Sequence, residues 1–124
     1  MRVLIVESNP DLGRVWTKHL ERAGCHVVLA TDQAQATECL TEQGVDVIIL
    51  DLVLGQGSAF AVADFASYRQ PDAKVIFVTN TTFFSDGSIF QHIPNACAFV
   101  QTETPPEDLT AMVEHYGHVS VSQN

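Results

Sequence analysis

The sequence predicts an α/β fold in which a doubly wound, five-stranded parallel sheet carries helices on both faces. Five short apolar runs alternate with longer amphipathic segments along the 124 residues, so β-α units follow one another without interruption. Each run is too short for a buried helix and is rich in aliphatic residues, as in strands buried on both faces. A chain of this length supports one compact domain with its own core.

The first unit begins with a strand over Arg2–Val6. Asn9 is a good N-cap and Pro10 a good first-turn residue for a helix that runs to about Ala23 and ends at Gly24. Apolar positions at i, i+3 and i+4 spacing predict its inward face. That face comprises Leu12, Val15, Trp16, His19 and Leu20.

The second strand is predicted over His26–Ala30. Thr31 is predicted to cap a helix that ends at Gly44. The third strand is the apolar run 45–50, which closes on Asp51 and leads directly into a glycine-rich loop.

A third helix is expected from near Ser58 to just before Pro71. It carries Phe60, Val62, Ala63 and Phe65. Lys74–Thr79 and Ala96–Gln101 are the fourth and fifth strands. The segment 81–95 between them holds several poor helix formers, so a fourth helix there is expected to be short or frayed.

The last helix has a strong start signal. Thr104 is predicted as its cap, Pro105 as its first residue and Glu107 as the partner in a capping box. The helix is expected to end near Gly117. The folded domain would then cover residues 1–117, and 118–124 would form a flexible polar tail.

Composition and charge narrow the class of protein. Hydrophobic residues make up 46% of the chain, but no stretch approaches the ~20 apolar residues of a membrane span, and no signal segment precedes the first strand, so a cytoplasmic protein is expected. The formal net charge of −9 and the scattered basic residues argue against direct binding of nucleic acid. The three cysteines are expected to be reduced thiols: Cys25, Cys39 and Cys97.

Two strands end on a carboxylate. Glu7 follows the first strand and Asp51 ends the third. The flavodoxin-like strand order 2-1-3-4-5 brings the ends of these strands together at the switch point of the sheet, where such folds place their chemistry. An isolated Asp51 could simply cap a turn, but a second acidic strand end at the same edge favours a functional site.

Four segments in register resemble the receiver domain of two-component response regulators, and the resemblance covers nearly the whole chain. They are VLIVESNP (3–10), DVIILDLVLGQGS (46–58), VIFVT (75–79) and NACAFV (95–100). The resemblance implies that Asp51 accepts a phosphoryl group from a phosphohistidine. It also implies a magnesium ion held by Glu7, Asp51 and the backbone carbonyl of Val53, with Thr79 and Phe99 as the switch residues.

The chain departs from the family pattern at several positions. Ser8 replaces a second acidic residue that binds the metal, and a hydroxyl is a weaker ligand for a hard cation. Thr102 stands where the family has a lysine, and Glu103 where a proline usually follows. No lysine occurs after Lys74, so this loss does not depend on the alignment. Magnesium binding is therefore expected to be weak or absent, and phosphoryl transfer slow.

Three functions compete. The first is a receiver that still accepts phosphate on Asp51, and the second is a pseudo-receiver that acts only as a protein interaction module. The third, a nucleotide- or flavin-binding domain, is disfavoured because the loop after the first strand has no glycine-rich phosphate motif. No enzymatic activity is expected, because no cysteine ends a strand and the histidines form no ligand set.

The resemblance also implies partners. A histidine kinase or phosphotransfer protein would supply the phosphoryl group. A second copy of the chain or an effector protein would bind the face formed by the fourth predicted helix, the fifth strand and the last helix. Phe83, Phe84 and Phe90 would contribute to this face or to the core.

Overall fold

A computed structural model describes residues 1–79 and 93–122, with side chains up to 117. The predicted helix within 81–95 and the three phenylalanines of that segment lie largely or wholly outside the described residues. The elements are β1 (Arg2–Val6), α1 (Pro10–Arg22), β2 (His26–Ala30), α2 (Gln33–Glu42), β3 (Val47–Asp51), α3 (Ala59–Arg69), β4 (Lys74–Thr79), β5 (Ala96–Gln101) and α4 (Pro106–Ser122).

The five strands form one parallel sheet in the order β2-β1-β3-β4-β5, which confirms the predicted fold class. The register between β4 and β5 shifts once: Val75 lies opposite Ala96, but Ile76 lies opposite Ala98. Cys97 is therefore an extra residue, a β-bulge in β5. Its thiol lies 3.4 Å from the carbonyl oxygen of Val75, to which it donates a hydrogen bond.

Each face of the sheet has its own hydrophobic core, because the strands are buried on both faces. One core lies under α2 and α3 and includes Leu4, Ile48, Leu50, Val75 and Phe77 from the strands. The other lies under α1 and α4 and includes Val3, Ile5, Ile49, Ile76 and Val78. Among the described residues, no helix is long and apolar enough to cross a membrane.

Local hydrogen bonds explain where the helices begin. The Asn9 side chain accepts from the amides of Asp11 and Leu12, as predicted, and Ser58 caps α3, close to where that helix was expected to begin. The cap of α2 is Asp32 and not Thr31: its carboxylate accepts from the amide of Gln35 at 2.9 Å. The amide of Thr31 instead donates to the Gln35 side chain. A carboxylate is the stronger acceptor at a helix start, which explains the shift by one residue.

The predicted inward face of α1 needs a correction. Val15 does not face the core, since 42% of it is exposed. Gly13 is buried in its place, against Leu29, and this close approach turns Trp16 and Leu20 toward the sheet.

The last helix begins at Pro106, one residue later than predicted. It also continues past Gly117 to Ser122. Gly117 lies inside the helix, where its missing side chain leaves room for Met1. The predicted domain boundary at 117 stays a prediction.

Gln70, the C-cap of α3, forms hydrogen bonds with the backbone at the end of α2 and in the segment that leads to β3. The Gln70 side chain donates to the carbonyl oxygens of Leu40 and Gln43, and it accepts from the amide of Val45 at 2.7 Å. The three backbone groups would otherwise lack a partner where the helix ends. The cysteines are free thiols, as predicted.

Candidate functional site

The strand register places three of the predicted site residues at the carboxyl edge of the sheet. Glu7 follows β1, and its amide donates to the carbonyl of Ala30 at 2.9 Å. Asp51 ends β3, the neighbour of β1, and lies opposite Val78 of β4. Thr79 is the last residue of β4. Neighbouring strands are about 4.8 Å apart, so these three strand ends form one continuous edge.

Glu7 is the most unusual titratable group in this part of the chain. Only 2% of it is exposed, and its Oε2 has no hydrogen-bond partner. Burial raises the pKa of Glu7 to about 8, and a hydrogen bond to Asp51 and the negative charge of Asp51 add to the rise. The amides of Ser8 and Asn9 oppose it. The raised pKa favours the protonated form of Glu7 beside Asp51.

Asp51 is half-buried, and its side chain is oriented by the loop that follows it. Its Oδ1 accepts a hydrogen bond from the amide of Val53 at 2.9 Å. The amide of Leu52 donates to Val78 at 2.8 Å, so the chain stays attached to β4 for one more residue. Val53 itself is 64% exposed, which leaves its backbone at the mouth of the site.

The far end of this loop is held by α2, a feature that sequence reasoning missed. The Gln33 Oε1 accepts from the amide of Ser58 at 2.8 Å, and the Gln33 amide donates to Gln56 at 3.4 Å. Gly57 has a φ of 89°, and a side chain there would collide with Gln33. The only signal in the sequence was Gly57 itself, because glycine favours positive φ.

The end of β5 completes the edge beside Thr79. Thr79 is buried, and its carbonyl accepts a hydrogen bond from the amide of Thr102 at 2.8 Å. Phe99 lies opposite Phe77 and packs, half-buried, against the core under α3. Glu103 follows on the surface.

Comparison with known proteins identifies the family. The family model for the response regulator receiver domain matches residues 3–114. The chain belongs to the response regulator receiver domains. Members of this family receive signals from histidine kinases or phosphotransfer proteins and typically bind Mg²⁺ at the phosphorylation site. They are generally signalling modules without enzymatic activity.

Individual relatives agree with this assignment. The response regulator receiver protein CpdR of Brucella abortus is 33% identical over 78 residues, which span 63% of this chain and 65% of that protein. The CheY-like receiver domain from Methanospirillum hungatei JF-1 has a TM-score of 0.90 at 20% identity and covers 99% of this chain and 98% of its own. The HemR receiver domain from Leptospira biflexa, in its non-phosphorylated form, has a TM-score of 0.83 at 22% identity, with coverage of 94% and 93%.

The residue that follows Glu7 is Ser8. Ser8 is exposed and lies across from Gly55 of the loop, with no second carboxylate in its place. Over residues 1–79 and 93–122, no group of three or more His, Cys, Asp or Glu could hold a metal ion. The orphaned oxygen of Glu7, the Asp51 carboxylate and the Val53 carbonyl nevertheless fit Mg²⁺, which often binds one or two carboxylates and keeps several waters.

Proposed function

We propose that this receiver domain accepts a phosphoryl group on Asp51, at a site with a weakened metal set and no lysine. The observation that carries this proposal is the convergence of Glu7, Asp51 and Thr79 at one sheet edge, with the Asp51 carboxylate accessible and oriented by the Val53 amide. A carboxylate held in this way is poised for in-line attack on a phosphoryl group.

The transfer forms one bond and breaks one. A carboxylate oxygen of Asp51 bonds to the phosphorus of a phosphohistidine as the P–N bond breaks, and the imidazole leaves with the bonding electron pair and takes up a proton. The product is an acyl phosphate on Asp51. In this proposal the hydroxyl of Thr79, one strand away, would hydrogen-bond a phosphoryl oxygen, and Phe99 would be the aromatic residue that follows its movement.

Glu7, Asp51 and the Val53 carbonyl would hold Mg²⁺ when it binds. The ion would supply positive charge between the carboxylates and the incoming phosphoryl oxygens. Because Ser8 contributes no charge, affinity is expected to be millimolar or poorer. A proton on Glu7 would have to leave before the ion enters, which weakens binding further near neutral pH.

Intact-mass measurement after exposure to acetyl phosphate and Mg²⁺ tests the proposal. The unmodified chain should gain one phosphoryl group slowly, and Asp51→Asn should gain none. Asp64→Asn, on the exposed face of α3, is the matched control and should behave like the unmodified chain. Phosphorylation of the Asp51→Asn variant to the same extent would reject Asp51 as the acceptor.

A second candidate is a pseudo-receiver that signals by binding alone. The replacement of a metal ligand by Ser8 and of the lysine by Thr102 favours it, since both changes remove stabilisation of the phosphoryl group. A second copy or an effector would then bind the face around β5 and Phe99. In this case Asp51→Asn should leave partner binding intact, whereas a phosphorylation-dependent receiver would lose its response.

A further inference from the structure

The basic residues of this chain lie away from the candidate site. The sequence contains six lysines and arginines, and none follows Lys74. Arg2 and Lys74 are the first residues of β1 and β4, at the amino edge of the sheet, and Arg22 and Arg69 end α1 and α3 at that same edge. Lys18 is about one turn before the end of α1.

Arg14 is the one basic residue near the carboxyl edge, in the second turn of α1. It is paired with Asp11 three residues earlier, and both side chains are largely exposed. A surface pair of this kind is weak, so Arg14 has to be tested as a rival source of charge for the site.

Acidic residues cluster at the carboxyl edge instead. Those in the first turns of α1 and α4 are explained by the helix dipoles, which favour negative charge at helix starts: Asp11, Glu107 and Asp108. Glu7, Asp51 and Glu103 lie in no helix and have no such explanation. Glu7 is also almost fully buried with one carboxyl oxygen unpartnered, so no positive group of the described residues bonds to that oxygen.

The position of Thr102 shows where that group is missing. Its amide is bonded to Thr79, so it lies beside the end of β4, yet its side chain is short and neutral. A phosphoryl group on Asp51 would lie at the same edge as the Glu103 carboxylate, and apart from the paired Arg14 no lysine or arginine of the chain is placed there to offset the two negative charges. Repulsion between these anions opposes the transfer.

We propose that a lysine or arginine from a basic surface of the partner protein completes the phosphoryl site in trans, in the place that Thr102 leaves neutral. This inference rests on the proposed function of Asp51. Charge complementarity identifies the partner: its docking surface is basic, because it meets an edge that carries acidic residues and only one, paired, basic residue. Transfer from such a partner is fast, and transfer from a small phosphodonor is slow.

The test measures the rate of mass gain from acetyl phosphate for the unmodified chain, Thr102→Lys and Tyr68→Lys. Tyr68 is 86% exposed near the end of α3, so the last variant adds the same charge far from the site. Thr102→Lys should react about 10²-fold faster than the unmodified chain, the usual effect of one preorganised charged donor. Tyr68→Lys should not differ from it.

In a second experiment, dissolved cations substitute for the basic side chain that the partner would supply. Methylguanidinium, with ionic strength held constant by tetramethylammonium chloride, and a hexa-arginine peptide should both accelerate the unmodified chain. Thr102→Lys should respond to neither. Binding of fluoroberyllate, followed by ¹⁹F NMR, should show the same pattern at equilibrium.

Three outcomes would overturn the inference. One is equal rates for the unmodified chain and Thr102→Lys, and the second is no acceleration by either cation. The third is a loss of rate in Arg14→Gln, which would identify Arg14 as a cation already present in the chain. Failure of the proposed function is distinguishable, because neither Thr102→Lys nor its combination with Ser8→Asp would then gain mass under any condition.

Discussion

Gln33 accepts a hydrogen bond on its side-chain oxygen from the amide of Ser58, across a distance of 2.8 Å. The two residues begin adjacent helices, since Gln33 is the first residue of α2 and Ser58 caps α3. The loop after Asp51 is thus fixed at both ends, by β4 at Leu52 and by α2 at Ser58. Its geometry depends on Gln33 as much as on its own residues.

Replacement of Gly57 by alanine should therefore be more harmful than a positive φ alone explains. Gly24 provides the control, because its φ of 93° is similar but nothing lies near a side chain added there. Gly24→Ala should cost about 1 kcal/mol of unfolding free energy from backbone strain. Gly57→Ala should cost at least about 1 kcal/mol more, because it collides with Gln33. Urea denaturation measures both, and equal losses would contradict the packing of Gln33 on the loop.

Gln70→Ala should destabilise the chain by about 2–3 kcal/mol, since it removes three hydrogen bonds to backbone groups. Gln43→Ala is the matched control, because the Gln43 side chain is exposed and only its backbone takes part. That control should change the unfolding free energy by less than about 0.5 kcal/mol. Similar effects of the two substitutions in chemical denaturation would show that the Gln70 contacts contribute little.

The buried Glu7 carboxyl makes stability depend on pH. Its pKa is about 8 in the folded chain against an ordinary value of 4.5, so between these values the folded state holds a proton that the unfolded state has lost. Stability is full below pH 4.5 and falls as pH rises through about 8, with a slope of at most about 1.4 kcal/mol per pH unit. Glu7→Gln should remove this component.

Urea titrations across that range, with a chelator present to exclude divalent ions, would measure the slope. Glu21→Gln, an exposed substitution on α1, is the control and should keep the pH dependence of the unmodified chain. An unchanged slope in Glu7→Gln would mean that Glu7 is ionised in the folded state.

Ser8→Asp should strengthen magnesium binding by at least about tenfold, because it restores a carboxylate beside Glu7. Ser8→Asn adds similar volume without charge and should improve affinity much less. Isothermal titration calorimetry with Mg²⁺ would compare the three chains. Tight binding by the unmodified chain would contradict the weak site proposed for it.

Much of the fold followed from local signals in the sequence. The strand ends at Glu7, Asp51 and Thr79 were predictable because apolar runs stop there, and the cap Asn9 was predictable because its side chain can bond the amides of the next turn. The burial of Val15 was predicted wrongly, since periodicity alone does not reveal that Gly13 lets the helix approach Leu29.

Features that depend on contacts between distant segments were not predictable. The Gln33–Ser58 hydrogen bond joins residues 25 apart, and nothing near Gln33 in the sequence indicates it. The sequence predicted that Glu7 and Asp51 would share an edge. It did not predict that one oxygen of Glu7 would be buried without a partner, because that depends on how the strands and the loop close around it.

The bulge at Cys97 determines on which face of the sheet Phe99 lies. Strand residues alternate between the two faces, so a one-residue shift in the pairing of β5 with β4 would exchange the faces of all the residues that follow, and the bulge prevents this shift. With Cys97 present, Phe99 lies opposite Phe77 and shares its core with α2 and α3. If Cys97 were instead paired regularly with Ile76, Phe99 would lie opposite Val78 and enter the core under α1 and α4. The bulge lies two residues before Phe99, and it thus determines that a movement of the Phe99 ring would be transmitted toward α2 and α3.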